Sequence, residues 1–159
     1  MTVNPTASAA AEVGRICSRN VVAIGPDEDL TKAAHLMRTA HVGFLVVQDG
    51  SGPKRKVVGV LTDRDIVVAV VAREIDPKTL RVSDVMTRDP VMVSENFTVD
   101  VALSFMREAA VRRMPIIRGD NELVGVLSLD DVVDKIAQQL GAVASAYRGE
   151  LRVERSVRP

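Results

Sequence analysis

The stretch V-G-V-L-T-D-R-D, Val58 to Asp65, returns sixty-six residues later as V-G-V-L-S-L-D-D, Val124 to Asp131. Each copy runs from an apolar, strand-like segment into a hydroxyl residue followed three positions on by a carboxylate. Thr62 with Asp65, and Ser128 with Asp131, read as a strand-to-helix junction: a hydroxyl N-cap whose partner acid reaches back from the first turn. A capping box alone explains that pattern. The same geometry also suits a ligand, because a helix amino terminus presents free N–H groups and partial positive charge. A carboxylate, which only accepts, matches a ribose diol, and Arg64 adds a cation for phosphate.

The repetition extends upstream at an offset of 69. Val13/Val82, Arg19/Arg88, Val22/Val91, Ala33/Ala102, Met37/Met106, Arg38/Arg107, Ala40/Ala109 and Val42/Val111 coincide. The offset changes at one place, where Asp49 to Lys56 stands against the shorter Arg118 to Glu122. That insertion lies in a turn bearing Gly50, Gly52 and Pro53, where chains tolerate extra length.

Both copies predict the same elements. Val21 to Ile24 and Val91 to Val93 read as short strands. Leu30, Ala33, Ala34 and Met37, like Val99, Ala102, Leu103 and Met106, have the i, i+3, i+4, i+7 spacing of an amphipathic helix. Asp29 and Thr98 precede them as N-caps. Hairpins follow over Phe44–Gln48 with Val57–Leu61 and over Met114–Ile117 with Leu123–Leu127. Second helices are expected over Arg64–Ala72 and over Asp130 to about Leu140, with Gly141 interrupting the latter and Ala142 to Tyr147 extending it.

The fold expected is therefore α/β (α+β): two pseudo-symmetric β-α-β-β-α repeats, residues 13–75 and 82–140, packed through their sheets around a shared core. A flexible segment 1–12, a linker 76–81 and an Arg-studded C-terminal extension 141–159 complete the chain. One unit of roughly 60 residues buries too little surface to be comfortable alone.

Composition narrows the function. Twenty-one basic residues balance twenty-one acidic ones, which disfavours a nucleic-acid surface built on excess cations. The longest apolar run, Ile66 to Ala72, is seven residues, too short for a bilayer. A single cysteine, Cys17, fits a reducing compartment, and no secretory signal is evident. A cytoplasmic location is expected. His35 and His41 lie six apart without a second Cys, which disfavours a metal site. No nucleophile, base and orienting acid assemble, so a non-catalytic module is expected.

The duplicated unit resembles a tandem pair of CBS (cystathionine β-synthase) domains, a Bateman module, over about Val13 to Leu140. The resemblance rests on Val82-Ser-Asp-Val-Met86, the Met37-Arg38 and Met106-Arg107 helices, Arg113-Met114-Pro115-Ile116 and the two G-x-x-[ST]-x-x-D endings. It implies a regulatory pair that self-associates as a homodimer, binds AMP, ADP, ATP or a related adenosyl ligand such as NAD or S-adenosylmethionine between its repeats, and signals to an effector protein. By that resemblance Thr62 and Asp65 would hold the sugar-phosphate in one cleft, and Ser128 and Asp131 in the other. The base would lie on Val22, Ile24, Val42 and Leu45 in one site, and on Val91, Val93, Val111 and Met114 in the other. The copies differ: Pro115 stands opposite Val46, and Asp130 opposite Arg64, a charge reversal for which Arg112 and Arg113 would compensate. A ligand-independent interaction module, with the motifs only capping helices, is the alternative.

Overall fold

The computed structural model describes residues 12–50, 52 and 55–157, with side chains through Arg148. Residues 1–11, Pro53 and the last two residues lie outside the description, and with them nearly all of the predicted N-terminal segment.

Repeat one runs β1 (Ala23–Ile24), α1 (Leu30–Ala40), β2 (Phe44–Asp49), β3 (Lys56–Thr62) and α2 (Asp63–Ile66). After a short linking segment come α3 (Val82–Val85) and β4 (Thr87–Arg88). Repeat two continues with β5 (Val93–Ser94), α4 (Val99–Glu108), β6 (Arg113–Arg118), β7 (Glu122–Ser128) and α5 (Leu129–Val157). In both repeats the first strand runs parallel to the second, and the hairpin is antiparallel with one register shift near its middle.

The helices begin as their sequences dictate. Asp29 caps α1 by accepting the Lys32 N–H at 2.8 Å, whereas Thr98 caps α4 without a side-chain bond. Leu30, Ala33 and Met37 are buried and Ala34 is not, so the apolar stripe is narrower than the spacing predicts. α2 is one turn of α-helix that widens over Val67–Val71 into a π-helix, with the Ala72 N–H reaching Val67 O at 3.0 Å. The run Ile66-Val67-Val68, then Val70-Val71, crowds a regular helix because β-branched side chains are stiff against the preceding turn. α5 does not break at Gly141. It runs 29 residues without interruption, since a single exposed Gly costs a helix only about 1 kcal/mol.

The two repeats do not share one core, as the sequence reading expects; there are two, and each borrows from the other repeat. Val13 and Cys17, from the segment leading into repeat one, are buried with Val93, Met106, Met114, Ile116 and Leu127 of repeat two. Val82, with Leu80, Val85 and Met86 packed beside it, completes the core of Leu30, Met37, Leu45, Val47 and Leu61 in repeat one. Backbone pairing follows the exchange. β4 adds to the edge of β3, making the sheet β1-β2-β3-β4. Its counterpart Ser18 pairs with Val126 on the edge of β7, through bonds of 2.9 and 3.0 Å.

Strand side chains alternate faces, so the residues between the core positions meet across the repeats. Val46 and Pro115 are wholly buried yet belong to neither core, and β3 packs on β7. The hairpin tips also touch: Lys56 pairs with Asp120 at 3.0 Å, and Asn121 Nδ2 donates to Val57 O at 3.0 Å.

Cys17 makes this junction testable. It is 8% exposed, and burial pushes its thiol pKa up, only partly offset by Arg19. Because the thiolate is the reactive form, Cys17 in the native protein is expected to resist thiol reagents at neutral pH. Labelling should track opening of the repeat junction, followed by mass spectrometry against denaturant. Rapid labelling of the native protein would contradict the packing.

Candidate functional site: two clefts between the repeats

Both motifs form complete capping boxes. Thr62 Oγ1 donates to Asp65 Oδ2 at 2.7 Å, the Thr62 N–H donates to the same oxygen at 2.8 Å, and the Asp65 N–H donates to Thr62 Oγ1 at 3.1 Å. Ser128 and Asp131 repeat this at 2.6, 2.7 and 3.2 Å. The consequence for chemistry is specific. Each hydroxyl has spent its one proton on the acid and can offer a ligand only a lone pair. Each acid has committed Oδ2, while Oδ1 has no partner among the described residues.

Hollows lie beside both boxes. One, of about 470 Å³, is lined by Thr62, Arg64 and Asp65 of repeat one together with Pro90, Val91, Val111, Arg112, Arg113 and Pro115 from the second half of the chain. The other, of about 230 Å³, joins Ser128 and Asp131 to Ser18, Asn20, Val22, His41, Val42 and Phe44. The sequence reading gives each motif the strand and helix end of its own copy. The structure corrects this: each motif faces the other repeat, because the segment that leads into one repeat lies along the other's sheet edge.

The remaining assignments sort accordingly. Val91 and Val111 line the Thr62/Asp65 cleft, while Val22 and Val42 line the Ser128/Asp131 cleft. Ile24, Leu45, Val93 and Met114 line neither. They are 0–7% exposed core residues, because the strand pleat turns them to the side facing α1 or α4. Arg112 does not compensate Asp130 in the second cleft; it lines the first, and Arg113 lines both. The cations Arg64, Arg112 and Arg113 therefore gather on one cleft, facing Asp63, Asp65 and Asp89. A further groove on the outer side of α2 shares Arg64 and Asp65 but includes no residue of the second motif.

Two features were missed from sequence. Phe44 touches both clefts, and its repeat-two counterpart is Arg113, which does the same, so the pair marks the local two-fold axis. One of only three Phe residues, placed where β2 leaves its turn, is the signal that pointed there. The second feature is the left-handed conformation of His41 and Ala110, both at φ 54°, just after α1 and α4. The bonds Val42 N–H to Met37 O and Val111 N–H to Met106 O, both 3.0 Å, close these helix ends in the manner of a Schellman turn. That sharp exit delivers Val42 and Val111 to the cleft walls.

Two interlocked copies of one β-α-β-β-α unit, with a cleft at each strand-to-helix motif, define a tandem-repeat module of the regulatory class. The family model for the CBS domain matches residues 13–72 and 82–138, and the chain belongs to that family. An uncharacterized 17.7 kDa protein of Acidianus ambivalens is 33% identical over 144 residues, which cover 88% of this chain and 84% of that one. The crystal structure of Hypoxic Response Protein I, which holds two coordinated zinc ions, matches with a TM-score of 0.67 at 32% identity, covering 77% of this chain and 97% of that one. A hexameric CBS-CP12 protein from bloom-forming cyanobacteria matches with a TM-score of 0.67 at 26% identity, over 91% and 86% of the two chains. The chain spans only 22% of the inosine-5'-monophosphate dehydrogenase of Methanocaldococcus jannaschii, to which it is 32% identical over 117 residues. It spans 60% of an uncharacterized protein of Methanopyrus kandleri at 28% identity over 121 residues. Among the described residues no three His, Cys, Asp or Glu side chains cluster as metal ligands, and no helix is long and apolar enough to cross a membrane.

Proposed function

We infer that this CBS pair is a non-catalytic sensor that binds an adenine nucleotide, AMP, ADP or ATP, in the cleft at Thr62 and Asp65 and passes the change to a partner protein. One observation carries the reading: a hollow of about 470 Å³ holds a carboxylate oxygen without a protein partner, three arginines and the apolar surface of Val91, Val111 and Pro115. That volume lies in the range of small-molecule sites, about 300–1,000 Å³. Asp65 Oδ1 would accept from the ribose diol, Arg64, Arg112 and Arg113 would meet phosphate, and the apolar wall would take the base. The second cleft is about half that size and has one arginine, Arg113, so it is the weaker site. Self-association belongs to the same reading and draws support from the hexameric CBS-CP12 relative.

A ligand that binds only the folded form stabilises it by about 2.7 kcal/mol at a hundred times its Kd. For a chain of this size that raises Tm by roughly 5–10 °C. Thermal melts with AMP, ADP, ATP, NAD and S-adenosylmethionine are expected to show such a rise with at least one of them. Five flat titrations would leave the second reading, an interaction module whose motifs only cap helices. The completeness of both capping boxes favours that alternative.

A further inference from the structure

The long helix α5 leaves the globule that starts it. Leu129 and Val132 pack into the repeat-two core, but every described side chain from Ile136 to Arg148 is exposed. Helices in water owe most of their stability to an apolar face buried in tertiary packing, and Gly141 weakens this one further. Its exposed face is nonetheless apolar. Val133, Ile136, Leu140, Val143 and Tyr147 are 49–67% exposed. They follow at steps of three, four, three and four, the spacing that lines up one seam between paired helices. Ala137 and Ala144 flank that seam and allow close approach, while Asp134, Gln138, Ser145 and Arg148 fall on the far side.

Charge selects the occupant. Residues 129–135 carry three Asp and one Lys, and residues 148–158 carry four Arg and two Glu. The acidic beginning and basic end of α5 complement each other only when a second copy of the helix runs in the opposite direction, which also sets the two helix dipoles head to tail. We propose that α5 of one copy pairs antiparallel with α5 of a second copy along the Val133–Tyr147 seam, giving a two-fold symmetric dimer. The seam continues beyond residue 138, where the family match ends. The proposal rests on the self-association inferred above and assigns it a surface.

Sedimentation equilibrium of the full chain at micromolar concentration is expected to give a dimer or a multiple of it. The double variant Leu140→Glu/Val143→Glu is expected to raise the dissociation constant at least tenfold while keeping a native melt, because both side chains are already exposed within one chain. Val67→Glu/Val71→Glu, on the exposed apolar face that follows α2, is expected to leave association unchanged. Paired labels at Arg148→Cys should lie roughly 20 Å apart along the helices in the antiparallel arrangement, from a rise of about 1.5 Å per residue. A monomeric wild type would remove both the seam and self-association. An assembly indifferent to Leu140→Glu/Val143→Glu, or labels side by side, would remove the seam and leave self-association standing.

Discussion

Replacing Gly125 with alanine is expected to lower the unfolding free energy by about 2 kcal/mol, although the change adds one methyl group to a strand. A Cβ at that position would sit 2.6 Å from Ser18 O and 2.7 Å from Cys17 Sγ. Both neighbours belong to the segment that repeat one lends to repeat two. Ser18 cannot move aside freely, because its N–H and C=O are bonded to Val126. Over-packing of this kind costs about 1–3 kcal/mol, which for a chain of this length lowers Tm by roughly 4–8 °C. Gly59→Ala should cost less. Its Cβ would meet Met86 Sδ at 2.5 Å and Thr87 O at 2.9 Å, and the thioether can swing away while the carbonyl cannot. Gly141→Ala is the control: nothing lies within 4 Å, and the change should raise helicity without loss of stability. Urea melts of the three variants decide the matter. If Gly125→Ala is as stable as the parent, the lead-in segment is not seated where the structure has it.

Asp65→Asn should separate the two functional readings more sharply than any truncation. Asparagine keeps one oxygen, enough to accept the Thr62 N–H and hold the cap, but puts an NH2 group where the unpartnered Oδ1 faces the cleft. A sugar diol then meets a donor in place of a charged acceptor. Hydrogen bonds to charged groups contribute about 1.5–3 kcal/mol, so nucleotide affinity is expected to fall roughly 10- to 100-fold with little change in the melt of the free protein. Asp131→Asn, beside the smaller hollow with its single arginine, is expected to change the same affinity by less than threefold, since separate sites are nearly additive. Calorimetric titration of both variants is the measurement. Unchanged nucleotide affinity in Asp65→Asn would leave the acid with capping as its whole role.

Much of this was legible in the residues themselves. The periodicity of Leu30, Ala33 and Met37, the Asp29 cap, both hairpins and the two strand-to-helix motifs are short-range features, in which each residue's neighbours in space are its neighbours in the chain. Those elements formed close to where the pattern put them. The continuity of α5 did not follow, because Gly141 marks a helix end by local rule, whereas nothing in its surroundings requires one there.

What the amino-acid order determined alone, then, is two copies of one unit and the chemistry of each motif. Which copy each motif faces was a tertiary decision. A duplicated sequence is degenerate on that point: Val13 or Val82, Ser18 or Thr87, would satisfy either core and either sheet edge by pattern. Chain connection breaks the tie. The segment leading into repeat two follows α2 directly and takes the nearby edge of β3, which leaves the segment before repeat one only the edge of β7, 108 residues away at Ser18–Val126. That exchange carries Val91, Val111 and the arginines Arg112 and Arg113 to Thr62 and Asp65, and so assembles the cleft from residues that no local rule brings together.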